Sequence, residues 1–160
     1  MSVGRSRDLD DFRLDGYLPY RLSVASNAVS GLIARAYQDR FGLTVPQWRL
    51  ICVLAEDGPS TQGQMVARTG MDKVTVSRAA QGLLKRRLLA RAEHQADGRS
   101  HVLSLTPEGL GLHIEIAPLA LAYEAALIAG LAPDEVALLK RLLHRLQGAA
   151  GQLGGDAARA

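Results

Sequence analysis

An intramolecular disulfide is impossible in this chain, because its 160 residues hold one cysteine, Cys52. Metal-ligand spacing is missing too. The four histidines, His94, His101, His113 and His144, are scattered, and each reads as a surface or packing residue. No candidate nucleophile has an adjacent base and no glycine-rich phosphate loop occurs, so neither an enzyme nor a cofactor is expected. The opening MSVGRSRDLDDF lacks the apolar run of a signal peptide. No apolar segment is expected to be long enough to cross a bilayer. These absences point to a cytoplasmic protein without a membrane partner. Charge of one sign is scarce as well: a net +3 does not by itself argue for nucleic acid.

What the chain does have is 48% hydrophobic residues, enough for a real core and, by length, one domain. Its positive charge is also concentrated. Between Ser60 and Thr106 stand Arg68, Lys73, Arg78, Lys85, Arg86, Arg87, Arg91 and Arg99, against Asp72, Glu93 and Asp97. In the same stretch, Asp72 to Leu88 reads as a helix. At 100° per residue, Val76, Ala79, Ala80 and Leu83 form one apolar face, and Val74, Ser77, Arg78, Gln81 and Lys85 form a mixed face opposite. Two β-compatible runs follow, Leu89 to Ala92 and His101 to Leu105. Gln95-Ala96-Asp97-Gly98-Arg99 between them has hairpin-loop chemistry. A helix sized for the DNA major groove beside an Arg-tipped ribbon makes a winged helix-turn-helix the leading reading.

The rest of the chain is consistent with that module. Residues 1–15 mix Arg and Asp and read as a mobile arm. From Pro19, Leu22, Ala25, Val29, Leu32, Ile33, Ala36 and Tyr37 recur at helical spacing, predicting a first helix of about five turns that stops at Phe41-Gly42. Thr44 to Gln47 is a capping box that opens a second helix. Thr61 to Gln64 repeats its spacing and opens a short third helix ending at Thr69-Gly70. Asp72 caps the next, so helix, tight turn and helix stand in the required order. After the ribbon, Thr106-Pro107-Glu108 starts a helix that Pro118 should kink unless the segment is two helices. A last helix starts near Pro133 and presents Val136, Leu139, Leu142, Leu143 and Leu146 on one side. The tail 149–160 is expected to be flexible.

The expected fold is mainly α (α+β), a winged helix-turn-helix over residues 16–148. Its DNA-binding lobe is 43–106, with a wing at about 89–105, and the helices of 16–42 and 107–148 flank it. Their apolar faces complete a core or also pair two copies, since such proteins usually bind two half-sites about one helical turn apart.

Candidate DNA contacts follow from side-chain chemistry. Arg78 can bond bidentately to guanine, Gln81 to adenine and Ser77 to several base edges, while Val74 and Thr75 suit a thymine methyl. Lys73 and Lys85 are better phosphate partners. Thr61 and Gln62 stand at a helix N-terminus, where free N–H groups suit a phosphate, although capping alone also explains Thr61. Arg99 at the ribbon tip suits a narrow minor groove, with Asp97 holding its guanidinium or shaping the turn.

Taken in order, these residues resemble the MarR (multiple antibiotic resistance regulator) family of bacterial winged-helix transcription factors. The likeness runs from about Leu18 to Leu146. It is most specific at Asp97-Gly98-Arg99-Ser100, followed by Leu105-Thr106-Pro107-Glu108-Gly109, which look like the family's wing and the next helix start. Asp72 to Arg78 looks like its recognition helix, and Leu43-Thr44 to Gln47-Trp48 like its second helix. The resemblance implies a homodimer held by the first and last helices on double-stranded DNA carrying a palindromic operator. It also implies a repressor released by a small, often aromatic, effector bound among the first, second and fifth helices. Trp48, Arg49 and Cys52 are the candidate effector contacts, core packing being the alternative for Trp48 and Cys52. Two departures stand out. Arg87 occupies a position where the family commonly has glycine, and no cysteine lies near the start of the first helix, where peroxide-sensing members carry one.

A constitutive or architectural DNA-binding protein without an effector is the competing expectation. A ligand-induced loss of operator binding separates out the constitutive protein, and alanine at Arg78 the architectural one: a reader should lose discrimination at one or two operator positions, whereas a sequence-blind binder should weaken uniformly.

Overall fold

The computed structural model describes residues 12–94 and 97–157, with the side chains of residues 94–100, 156 and 157 outside the description. In chain order the elements are α1 (Leu18–Phe41), α2 (Val45–Asp57), β1 (Ser60–Thr61), α3 (Gln62–Thr69), α4 (Lys73–Lys85), β2 (Leu89–His94), β3 (Asp97–Leu105), α5 (Pro107–Ile128) and α6 (Pro133–Ala157). The chain divides inside α5 into two compact units, one up to Ile114 and one from Glu115.

In the first unit the helix starts are set locally, as the capping spacing predicts. Thr44 Oγ1 accepts from the Gln47 N–H at 3.3 Å, and Gln47 Oε1 accepts from the Thr44 N–H at 3.0 Å. Thr61 and Gln64 repeat the exchange at 3.2 and 2.7 Å. Each box satisfies two backbone donors that a helix start leaves open. Gly70, at φ 67, ends α3 in the left-handed region and turns the chain toward α4. The expected apolar face of α4 is the observed one: Val76, Ala79, Ala80 and Leu83 are buried, together with Leu50, Ile51 and Leu54 of α2 and Met65 of α3. Removing a side chain such as Leu83 from this core costs about 2–5 kcal/mol.

The sheet is antiparallel in the order β1-β3-β2. Two of its features were not legible. Ser60 and Thr61, expected only to precede a helix, pair with Leu103 and Val102. The ribbon is also longer than expected: β3 begins at Asp97, so Gly98 and Arg99 belong to a strand rather than to the loop. Pairing continues to His94 opposite Asp97, and an irregularity at Glu93/His94 absorbs the offset. Residues 95 and 96, the remainder of the expected loop, lie outside the described residues.

Further boundaries move. Leu14–Gly16 form a turn of 3-10 helix, within and just beyond the expected arm, and the Phe12 and Tyr17 rings lie 5.3 Å apart. Residues 1–11 of the arm lie outside the description. At 24 residues, α1 exceeds the expected five turns. Despite Pro118, α5 is a single helix, although that proline has no N–H to donate to the Ile114 carbonyl. This helix also corrects the expectation that no apolar segment could span a bilayer, since by length and composition alone Pro107–Ile128 could. Its apolar residues are dispersed among alanines and interrupted by Glu115 and Glu124, so no single run announces it.

In the second unit, Lys140 Nζ pairs with Glu124 at 3.0 Å, and Glu135 Oε2 accepts from the Ala132 N–H at the start of α6. The expected flexible tail, 149–160, is corrected over 149–157, with 158–160 outside the described residues: α6 continues past Gly148 to Ala157. Its glycines each cost about 1 kcal/mol against alanine, but Ala149, Ala150, Gln152 and Leu153 continue the helix and no proline ends it.

Candidate nucleic-acid interface

The face of α4 opposite the core is open. Lys73, Val74, Arg78, Gln81 and Lys85 are exposed, Val74 at 57%, whereas Thr75 and Ser77 are half-buried. Arg78, Gln81 and Lys85, with Gly82 and Leu84, line an open depression of about 480 Å³. The structure thus gathers on one surface the donors that the helical spacing placed together.

The N-terminus of this helix is held by Asp72. Its Oδ1 accepts from the Thr75 N–H at 2.8 Å and its Oδ2 from the Thr75 hydroxyl at 2.7 Å. The hydroxyl bond first, and the backbone bond second, hold the carboxyl below its ordinary range. Because the Thr75 hydroxyl serves the cap, its methyl is the group best suited to a base. In the last turn of α4, Gly82 lies against the Gln47 side-chain amide, and a Cβ there would meet it. At Gly82, α4 therefore packs closely against the capping box of α2.

At the start of α3, capping engages both the hydroxyl and the N–H of Thr61. The exposed Gln62 is left as the better phosphate partner. The side chains of Asp97, Arg99 and Ser100 lie outside the described residues, but their backbones place all three within β3. Arg91, on β2, is exposed, and only its contribution to the local charge marked it in the sequence.

The candidate effector contacts separate. The Trp48 ring stacks on His113 of α5, with centroids 5.5 Å apart and planes at 21°, and makes an edge-type contact with Tyr37 of α1, also at 5.5 Å and with planes at 64°. Cys52 lies one turn along the same face of α2. Its half-buried thiol is pushed up to about 12, by burial first and by Glu56 second. At neutral pH that thiol is protonated and a poor nucleophile. Arg49 is exposed and rotated by about 100° from Trp48, away from the rings. Tyr37 and His113 were missed as partners of Trp48, because spacing within single helices does not show which faces meet.

A sequence profile described as MarR family matches residues 41–100. Over 70 residues the chain is 30% identical to the HTH-type transcriptional repressor NicR of Pseudomonas putida, and the matched stretch is 44% of either protein, less than half the length of that relative. Among solved structures, Bordetella bronchiseptica BpsR, whose DNA binding is regulated by 6-hydroxynicotinic acid, superposes with a TM-score of 0.79 at 26% identity, covering 85% of this chain and 96% of BpsR. A probable transcriptional regulator from Pseudomonas aeruginosa superposes at 0.77 with 32% identity, covering 84% of this chain and 99% of its own.

Proposed function

This chain belongs to the MarR family, and on that premise we propose that it is a repressor that holds a palindromic operator as a homodimer and releases it when a small aromatic molecule binds. The observation that carries this reading is the exposed row Val74, Arg78, Gln81 and Lys85 on a helix whose other face is wholly packed. Arg78 and Gln81 read base edges, Ser77 supports them, and Val74 and the Thr75 methyl meet thymine methyls. Lys73, Lys85 and Gln62 hold phosphates, with the N–H groups of the α3 terminus beside them, where Thr61 caps the helix. Arg99 enters the flanking minor groove, with Asp97 and Ser100 beside it in the wing. Such a protein works where the DNA is, which favours the cytoplasm.

Exposed apolar residues support the dimer. In the first unit Tyr17, Leu18, Tyr20 and Val24 are exposed, and in the second Leu138, Leu139, Leu142, Leu143 and Leu146 are. Exposed apolar residues gathered on helices in this way mark a protein partner, and a second copy meets the need of a two-fold operator. For the effector, the stacked Trp48 and His113 offer flat faces, and Cys52 lies one turn away. BpsR responds to a hydroxylated pyridine carboxylate, a flat molecule of suitable chemistry. Arg49 has the charge for its carboxylate but not the placement. An effector that favours the non-binding arrangement by roughly 1–3 kcal/mol lowers DNA affinity by several-fold to about a hundredfold.

Selection of bound genomic fragments, followed by footprinting, tests the reading. A protected palindrome with half-sites about one helical turn apart is expected. Adding 6-hydroxynicotinic acid should weaken protection and change Trp48 fluorescence. Sequence-indifferent protection would replace the operator reader with an architectural binder, and specific protection unmoved by a panel of flat aromatic acids would leave a constitutive regulator.

A further inference from the structure

The far end of α4 is tied to two other helices through three consecutive residues. Arg86, immediately after the helix, reaches 44 and 45 residues back along the chain. Its Nη1 donates to the Gly42 carbonyl and its Nη2 to the Phe41 carbonyl, both at 2.9 Å. These carbonyls end α1, where unpaired oxygens and the helix dipole favour a cation, and the planar guanidinium meets both at once. Arg87 follows in the left-handed region at φ 57, and its carbonyl accepts from the Thr106 hydroxyl at 2.8 Å. Leu88 accepts from the Thr106 N–H at 3.1 Å, and its carbonyl fills the space where a Cβ on Gly109 would sit. Thr106 caps α5 through the Gly109 N–H at 3.0 Å. The N-terminal cap of α4, by contrast, is local: Asp72 bonds Thr75.

We propose that Arg86 is a positioning residue for operator recognition: its two-carbonyl clasp on the end of α1 sets the angle at which α4 is presented, without touching a base. This rests on the dimeric reader proposed above. In a two-fold dimer built through α1, the clasp determines how the paired recognition helices are spaced and turned. Arg86 is therefore the element through which half-site spacing is enforced. Its own charge does not explain this role, because a lysine carries the same charge but cannot span both carbonyls in one plane.

The test uses the full chain, its selected palindrome, and the same palindrome with one base pair inserted or removed at the centre. Each change rotates one half-site by about 35° against the other. The wild-type protein should lose about tenfold or more in affinity on the altered spacings. Arg86→Ala and Arg86→Lys should both bind the native spacing several-fold more weakly, and the gap between spacings should narrow to about threefold or less. Thermal melting identifies any loss of fold in the alanine variant, and the lysine variant then carries the test. If Arg86→Lys restores both affinity and spacing preference, the residue acts as a phosphate-directed charge and the proposal fails. If a variant that keeps its fold weakens every spacing by one factor, the role is general stability and the proposal fails. A wild-type protein that binds one palindrome specifically but ignores spacing overturns the inference alone. One that selects no palindrome overturns the two-half-site reading together with it.

Discussion

The Thr106 hydroxyl donates to the carbonyl of Arg87 at 2.8 Å, and so holds a non-glycine residue at φ 57 two residues beyond the end of α4. Left-handed backbone costs a residue with a Cβ roughly 1 kcal/mol, which the surrounding bonds at Leu84, Leu83 and Thr106 offset. Arg87→Gly should therefore stabilise the fold by about 0.5–1 kcal/mol and raise the melting temperature by about 1–4 °C, measured at fixed protein concentration. An unchanged or lower midpoint would show that the Arg87 side chain contributes more than its backbone costs.

Two glycines in helices differ in what they face. On Gly109 a Cβ would meet the Leu88 backbone carbonyl, which cannot yield without moving the junction between α4 and α5. Gly109→Ala should cost about 1–3 kcal/mol despite alanine's better helix propensity. On Gly82 a Cβ meets the flexible end of Gln47, so Gly82→Ala should be near neutral, within about 1 kcal/mol, once the Gln47 bond to Thr44 is lost and helix propensity gained. Urea titration of both variants measures the contrast.

The Asp72 carboxyl is held below its ordinary value by the Thr75 hydroxyl and N–H. Its contribution to stability is present above the ordinary carboxylate value and is lost as pH falls through the lowered folded value. Acid melting should expose this loss in the wild type. In Asp72→Asn, which keeps an acceptor but cannot titrate, the corresponding acid component should disappear, and Asp72→Ala should melt lower at neutral pH.

Burial pushes the Cys52 thiol up to about 12. Native protein at pH 8 should react with a disulfide reagent at least a hundredfold more slowly than protein unfolded in urea. Because the folded value is raised, the stabilisation is full below the ordinary value of 9.0 and is lost as pH rises toward 12. Fast native labelling would place the thiol in solvent and reopen a redox role.

Base readers and phosphate holders should separate in competition binding. Arg78→Ala or Gln81→Ala is expected to cost about 1–3 kcal/mol and relax discrimination at one or two operator positions. Lys85→Ala should weaken all sequences alike and lower the salt slope by about one. Uniform weakening by Arg78→Ala would remove its direct-reading role.

Local chemistry made much of this protein legible in one dimension. The boxes Thr44/Gln47 and Thr61/Gln64, the Asp72 cap, and the division of α4 between Val76, Ala80, Leu83 and Arg78, Gln81, Lys85 all depend on residues three or four apart. Spacing of that kind is visible in the chain itself. Relationships across long separations were decided only by tertiary structure: the clasp of Arg86 on Phe41 and Gly42, the stack of His113 on Trp48, and the pairing of Ser60 with Leu103. Periodicity states which face of an element is apolar but not which other face it meets. The extent of elements was likewise settled by context, since backbone pairing carried the wing through Arg99, and helix propagation carried α6 past Gly148.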